Sequence, residues 1–480
     1  MSLINLNDTI AAIATPGGES GIGIVRISGS KALVIADRIF VCKDGKKPSD
    51  FKTYTTHYGR VVDPLTRCSV VSSKRDNGIT GKRDNGIIDE VILTVMRKPR
   101  SYTREDTVEI NCHGGIIPLR KTLELVLDSG ARLAKPGEFT QRAFLNGRID
   151  LTQAEAVLDI VRAKTDYALK VSLEQLGGAL SKKLNRLRVG LLNSLSILEA
   201  NIDFPEEDLG VADLKGISAN LEHASRELRL LLEGSKRGRI LRDGIKTVIC
   251  GKPNAGKSSL LNALLNCERS IVTPIAGTTR DTVEEILDIK GIPVRIVDTA
   301  GIIEPRDLIE KKAVSRSQQY IREADLVLLI LDGSRELSRE DEVLIRKTKS
   351  KPTIVLINKI DLRQKVNHGE INRNFRRVVQ ISAKKKKNLD LLEDAIARFV
   401  FDGEIKSGEQ VWVNNLRHSQ QLKKVKKSVL QAKDSIKKNL PLELIAQDFK
   451  DAIGFLDEIQ GKNFSEDLLD RIFSEFCVGK

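Results

Sequence analysis

The residues with the plainest chemistry in this chain are Gly251-Lys252-Pro253-Asn254-Ala255-Gly256-Lys257-Ser258. They read G-x-x-x-x-G-K-S, a spacing that wraps backbone N–H groups around a polyphosphate. Lys257 has the reach for β- and γ-phosphates, and the Ser258 hydroxyl suits a Mg2+ ion bound to them. Four more short motifs follow in order. Asp298-Thr299-Ala300-Gly301 offers a carboxylate for the Mg2+ shell and a glycine N–H for a γ-phosphate. Asn358-Lys359-Ile360-Asp361 offers a carboxylate that accepts from both N1–H and the 2-amino group of guanine; adenine lacks that donor pair, so the motif predicts GTP. Ser382-Ala383-Lys384 supports the base through backbone contacts. Thr278-Thr279-Arg280-Asp281 supplies a threonine that can close on Mg2+.

The group that positions the attacking water is less plain. Many GTPases place a glutamine directly after the D-x-x-G glycine. Here that position is Ile302, which has no polar atom to offer. Glu304, Asp307 and Glu310 are acidic candidates downstream. The side-chain carbonyl of Asn254, inside the phosphate loop, can ligate a monovalent cation and so stabilise transition-state charge.

These residues need a scaffold. Ile245–Cys250 is β-branched and apolar and predicts a buried strand, and Ser259–Leu265 predicts a helix whose N-terminus favours an anion. From about 243 to 400 strand and helix patterns alternate, which predicts a parallel sheet with helices on both faces. Residues 151–241 repeat apolar positions at helical spacing, with a break at Pro205, and a helical pattern returns after 402. The helices on either side are expected to pack together, with the central domain inserted between them. Lys423-Lys424-Val425-Lys426-Lys427 reads as a solvated helix face. Upstream, Thr9–Thr15 and Ile22–Ser28 predict a hairpin, with strands around 51–62 and 88–96 and a helix at 117–129, an α+β domain. Gly21-x-Gly23 precedes a strand instead of opening a helix, so it is no dinucleotide fingerprint. A near repeat, 74–81 followed by 82–89, predicts a lengthened surface loop.

With 480 residues, the chain has room for about three domains. A net charge of +14 points to a polyanionic partner. Aromatic residues at 4% argue against extensive base stacking. The six cysteines show no C-x-x-C spacing, so neither a zinc site nor a disulfide framework is predicted. No secretory leader or membrane-length apolar run is visible, and a cytoplasmic setting is expected.

Beyond the central motifs, Asp8-Thr9-Ile10-Ala11-Ala12, Arg26-Ile27-Ser28-Gly29, Ser101-Tyr102-Thr103-Arg104-Glu105-Asp106, Cys112-His113-Gly114-Gly115, the block from Pro136 to Gly147 and the closing Phe476-Cys477-Val478-Gly479-Lys480 together resemble the tRNA-modifying GTPases of the MnmE, or TrmE, family. The resemblance covers nearly the whole chain. It implies a multidomain fold: an α+β N-terminal folate-binding and dimerisation domain (1–147), a discontinuous all-α domain (148–242 and 402–480) and an inserted α/β P-loop GTPase domain of Ras-like type (243–401).

It further implies a homodimer through the N-terminal domain, and a 5-formyltetrahydrofolate-type one-carbon donor held by Arg26, Glu109, Arg148 and Lys480. The implied GTP-binding set is Asn254, Ala255, Gly256, Lys257, Ser258 and Ser259, the loop Thr273, Pro274, Ile275, Ala276, Gly277, Thr278 and Thr279, then Asp298, Thr299, Ala300, Gly301, Asn358, Lys359, Asp361, Ser382, Ala383 and Lys384. Mg2+ falls to Ser258 and Thr279, and K+ to Asn254, Thr273, Ile275 and Thr278. Glu310 matches the water-orienting glutamate, and Cys477 the family's C-terminal cysteine. With a flavoprotein partner that carries the flavin, in a heterotetramer, the family adds an aminomethyl or carboxymethylaminomethyl group at C5 of the wobble uridine (position 34) of certain tRNAs.

The chain departs from the family pattern at Arg104, where glycine is common, and at Ile302-Ile303, where Leu-Arg is common. Two other readings compete: a GTPase switch that docks on the ribosome without modification chemistry, and a folate-dependent one-carbon enzyme in which GTP hydrolysis is only regulatory.

Overall fold

A computed structural model describes residues 7–65, 86–204, 211–265, 285–297, 319–401 and 411–480. The chain divides into two compact units, one of residues 1–158 with 460–480 and one of residues 159–459.

The first unit is built on a seven-stranded sheet. Its strands are β1 (Ile10–Ile13), β2 (Ser20–Ser28), β3 (Phe40–Cys42), β4 (Thr55–Val62), β5 (Ile87–Met96), β6 (Thr107–Gly114) and β7 (Arg132–Leu133), in the order β3-β4-β5-β6-β2-β1-β7. β1 and β2 form the expected hairpin, with Ile10 opposite Ser28 and Ile13 opposite Val25. Period-2 alternation sends Val25, Ile27, Leu93, Val95, Val108 and Ile110 to one face. There they pack with helices Ala32–Ile39 and Ile116–Asp128. Ile10 and Ala12 point to the other face and meet Phe139. Phe139 is the second residue of helix Glu138–Leu145, whose Phe144, with Leu151 and Leu158 after it, shares a core with Leu469, Phe473 and Phe476 of the C-terminal segment.

Arg142 sits inside this unit with its side chain fully buried. Burial of a guanidinium is costly without partners. Asp8, Glu105 and Glu138 supply three carboxylates to it. Burial pushes the Asp8 and Glu138 carboxyls up, but hydrogen bonds from Arg132 and Arg142 outweigh it and hold both below the ordinary carboxylate range.

In the second unit a six-stranded sheet carries β8 (Ile245–Cys250), β9 (Glu285–Ile289), β10 (Ile292–Ile296), β11 (Leu326–Asp332), β12 (Thr353–Asn358) and β13 (Val378–Gln380), ordered β13-β12-β11-β8-β10-β9. β8, β10, β11, β12 and β13 are parallel, as expected. β9 pairs antiparallel with β10, so the sheet is mixed at that edge. Near-continuous burial of β11 and β12 reflects helices on both faces, including Lys257–Leu265 and Leu389–Phe401 on one side and Arg339–Thr348 on the other.

The flanking helices do pack together. Ala179–Asp203 and Val211–Asp243 share a core with Leu416–Lys437 and Leu442–Gln460, through Leu184, Leu191, Leu228, Leu422, Val429 and Phe449. Apolar residues at three- and four-residue spacing place one stripe of each helix inside. Helix Asp166–Leu176 sends Tyr167 against Phe401 and Trp412, edge to face. The architecture is thus an α+β N-terminal unit and a helical domain drawn from both sides of an α/β P-loop domain.

Candidate functional site

β8 ends at Cys250 and helix Lys257–Leu265 begins seven residues later, so the glycine loop lies at the C-terminal edge of the parallel sheet. The loop has little freedom. Gly251 has φ 156°, and a Cβ there would meet the Ile330 carbonyl oxygen at 2.5 Å. Gly256 has φ 107°, and its Cβ would lie 2.1 Å from Asn358 Nδ2. Asn254 stands at φ 63°, a left-handed conformation that asparagine tolerates better than most residues.

A cleft of about 530 Å3 opens over this loop. It is lined by Asn254, Gly256, Lys257, Ser258 and Ser259 on the phosphate side and by Asn358, Lys359, Asp361, Ser382 and Lys384 on the other. Three of the five sequence motifs, the glycine loop, Asn358–Asp361 and Ser382–Lys384, therefore converge on one cavity. Lys257 Nζ donates to the carbonyls of Gly251 (3.0 Å) and Lys252 (2.8 Å), and burial pushes its ammonium down from the ordinary lysine value. Those weak carbonyl partners are ones a phosphate would replace. Cys250, buried below the loop, is pushed up to about 12 and is no nucleophile.

The base-side groups brace one another. Asn358 Nδ2 donates to the Ala255 carbonyl at 2.8 Å, and its Oδ1 accepts from the Ala383 N–H at 2.9 Å. One asparagine thus ties the phosphate loop to the Ser382-Ala383-Lys384 turn. Ser382 Oγ donates to Asp361 Oδ1 at 2.6 Å and holds that carboxyl below the ordinary aspartate value. The anion is fixed in orientation by that bond, and a carboxylate so held is an acceptor for paired N–H donors. Lys359, at φ 66°, donates through Nζ to Asp332 Oδ2 at 2.7 Å.

Sequence reasoning passed over two groups here. Asp332 ends β11, and its other oxygen accepts from Ser334 N and Oγ. Its position at a strand end beside the other motifs was the available signal. Lys252 reaches the capping box of helix Arg339–Thr348, donating to Ser338 Oγ at 2.7 Å and pairing with Glu340 at 3.3 Å.

Thr273, Pro274, Ile275, Ala276, Gly277, Thr278, Thr279, Arg280 and Asp281, then Asp298, Thr299, Ala300, Gly301, Ile302, Ile303, Glu304, Asp307 and Glu310, lie outside the described residues, as does the repeat up to residue 85. Among the described residues no His, Cys, Asp and Glu cluster forms a metal site, and no helix is long and apolar enough to cross a membrane. Ser258 and Asn254 line the cleft, and the oxygens of a hydroxyl and an amide suit hard cations such as Mg2+ and K+.

A second polar cluster lies in the first unit. Arg26 on β2 pairs with Glu109 on β6 at 2.7 Å, donates to the Gly479 carbonyl at 2.9 Å and sits 5.6 Å over the Phe139 ring. The Lys480 carbonyl accepts from Phe139 N at 3.0 Å. Arg148 lies 4.7 Å over the Tyr102 ring, and the Tyr102 hydroxyl meets Thr140 Oγ1 at 2.9 Å. Arg26, Glu109 and the 479–480 backbone are therefore joined directly, with Arg148 on the Tyr102 side. Cys477 is exposed, whereas Cys42, Cys112 and Cys250 are buried. Arg104, in the place of the expected glycine, has φ 59°, and its guanidinium donates to the Asn146 carbonyl.

Comparison with known proteins gives one consistent result. Residues 9–148 match the family described as GTP-binding protein TrmE N-terminus, and residues 151–477 match the MnmE helical domain. A "tRNA modification GTPase MnmE" of Desulforamulus reducens is 46% identical over 478 residues, covering 99% of this chain and 100% of the relative. The proteins of the same name from Clostridioides difficile and Bacillus licheniformis are 45% and 44% identical, each over all of the relative. Among solved structures, Aquifex aeolicus Era bound to GDP.AlF4- is 33% identical, covering 38% of this chain and 66% of that one at a TM-score of 0.26. The G domain of T. maritima FeoB is 24% identical, covering 32% and 98% at 0.25.

Proposed function

Because the chain belongs to the family of tRNA modification GTPases named MnmE, we propose that it is a K+-stimulated GTP hydrolase that, with a flavoprotein partner, adds an aminomethyl or carboxymethylaminomethyl group at C5 of the wobble uridine of certain tRNAs. The observation that carries the GTP reading is the brace between Ser382 and Asp361 beside a glycine loop of phosphate-binding geometry. A fixed carboxylate discriminates between purines because adenine leaves it unpaired.

In this reading the loop N–H groups and Lys257 hold the β- and γ-phosphates. Ser258 and Thr279 would hold Mg2+, with Asp298 near its shell; Asn254, Thr273, Ile275 and Thr278 would hold K+. Bound there, the two cations supply positive charge for the leaving and transferred oxygens. Glu310 orients the attacking water, the task for which Ile302 has no polar atom. Arg26, Glu109, Arg148 and Lys480 bind the 5-formyltetrahydrofolate-type donor. Chains pair as a homodimer through the N-terminal unit and assemble with the flavoprotein in the cytoplasm. Cys477, exposed near the end of the chain, takes part in the chemistry on the uridine.

GTP turnover in K+ and in Na+, measured across a range of protein concentrations, tests this. The expected result is K+ activation that grows with protein concentration, as G domains pair. A flat, low rate in both salts removes the cation-linked mechanism.

A further inference from the structure

Helix Leu416–Lys437 and the Lys438 that caps it carry Arg417 and seven lysines, against a single acid, Asp434. A helix face that is merely solvated usually mixes signs, because like charges three and four residues apart repel. Packing sorts the lysines. His418, Leu422, Val425, Val429 and Ala432 form the buried stripe. Lys423, Lys424 and Lys427 are exposed and Lys426 is half-buried, all within about one turn.

Elsewhere on the helix, two lysines are paired: Lys433 with Glu222, and Lys438 with Asp434. The four in the centre have no carboxylate partner among the described residues. Their charged heads meet one group there, the Phe455 ring, which lies 5.2 Å from Lys424 Nζ. Three carboxylates on helix Leu442–Gln460 are engaged elsewhere, Asp457 by Arg188, Asp451 by Gln447 and Asp448 by Ser435. The like-charge repulsion is left uncompensated, which a polyanion would relieve.

We propose that the face formed by Lys423, Lys424, Lys426 and Lys427 binds the phosphate backbone of the tRNA substrate. This rests on the tRNA-modifying reading above. The face meets phosphates and not bases. Lysine heads carry charge without the planar fork that reads a base edge, and no exposed aromatic residue stands among the four. Binding by this face is sequence-tolerant and steeply salt-dependent, because each phosphate neutralised releases condensed cations.

The test uses the full chain and an unmodified tRNA transcript with uridine at the wobble position, titrated from low to moderate salt. Three variants are compared with wild type. One replaces all four lysines with glutamine, one is the outer pair Lys423→Gln with Lys427→Gln, and one replaces all four with arginine. A control replaces Lys43, Lys46, Lys47 and Lys52, exposed lysines of the other unit, with glutamine. The four-glutamine variant is expected to bind tRNA about tenfold or more weakly near 0.1 M salt. Its log–log salt slope should flatten by roughly 3, at about 0.7–0.9 for each of four phosphates no longer neutralised. The outer pair should weaken binding about half as much, and the arginine variant should bind like wild type. GTP turnover without tRNA should be unchanged in all of them.

Equal weakening in the control reduces the effect to net charge and overturns the site. Wild-type affinity and slope in the four-glutamine variant also overturn it, and failure to bind the flavoprotein with tRNA binding intact reassigns the face to a protein. Failure of the wild-type chain to bind tRNA at all overturns the tRNA reading itself, a result distinct from the others.

Discussion

Asp332 holds the Lys359 ammonium at 2.7 Å, and Lys359 belongs to the Asn358-Lys359-Ile360-Asp361 motif proposed to read guanine. Burial pushes the Asp332 carboxyl up, but hydrogen bonds from Lys359 and Ser334 more than offset this and keep it ionised. Asp332→Asn removes the charge and keeps the shape. GTP affinity, read by fluorescent-nucleotide titration, is expected to fall about 5- to 10-fold, or ~1 kcal/mol, since the pair is partly screened by solvent. At Gly256, alanine meets both a positive φ and the Asn358 amide, so Gly256→Ala should abolish measurable GTP binding while leaving the N-terminal unit folded by circular dichroism. Cysteine reactivity follows exposure. Iodoacetamide at pH 8 should alkylate Cys477 readily and spare Cys112, pushed up to about 11 by burial, and Cys250; peptide mass spectrometry reads the difference. At this scale the sequence told most about residues inside spaced motifs. Asp332 and Lys252 were missed because their roles depend on partners 27 and 86 residues away.

At the scale of elements, β8, the glycine loop and the following helix were legible because a β-branched run, two glycines and a helical period agree with one another. The β1–β2 hairpin was legible for the same reason. β9 was not, since Glu285 and Asp288 break its apolar pattern and its pairing is set by the edge of a sheet that already exists. Helix Glu138–Leu145 was hidden too, because its Glu138, Gln141 and Arg142 read as surface residues yet are buried. Arg142 is the centre of that burial. Arg142→Ala leaves the Glu138 carboxylate buried with one partner fewer and should destabilise the unit by about 3–5 kcal/mol in a denaturant titration. The same network sets a pH dependence. Asp8 and Glu138 have lowered pKa values, so their contribution is fully present above the ordinary carboxylate range and is lost as pH falls through the lowered values. Thermal melting of the wild type should therefore drop below about pH 4, and the drop should be smaller in Arg142→Ala.

For the whole molecule, helices separated in the chain by the entire P-loop domain close one core, as their matching apolar stripes implied. The grouping of residues 460–480 with 1–158 was beyond any local pattern, because helix Glu466–Phe473 carries only a short apolar stripe and its partners, Phe144 and Leu158, lie far upstream in the chain. A net charge of +14 pointed to a polyanion, and the fold concentrates part of that charge on one helix. The central claim is that GTP hydrolysed in this one cleft drives tRNA modification. Asp361→Asn tests it most directly, because an amide at that position donates to the 2-oxo group of xanthine and accepts from its N1–H, where the carboxylate required two donors. In a reconstituted reaction with the flavoprotein and tRNA, the account predicts that this variant forms the modified wobble nucleoside with XTP and loses GTP-driven formation by on the order of 10⁴-fold in kcat/KM. Modification that still depends on GTP in this variant, or that proceeds with no nucleotide at all, would contradict it.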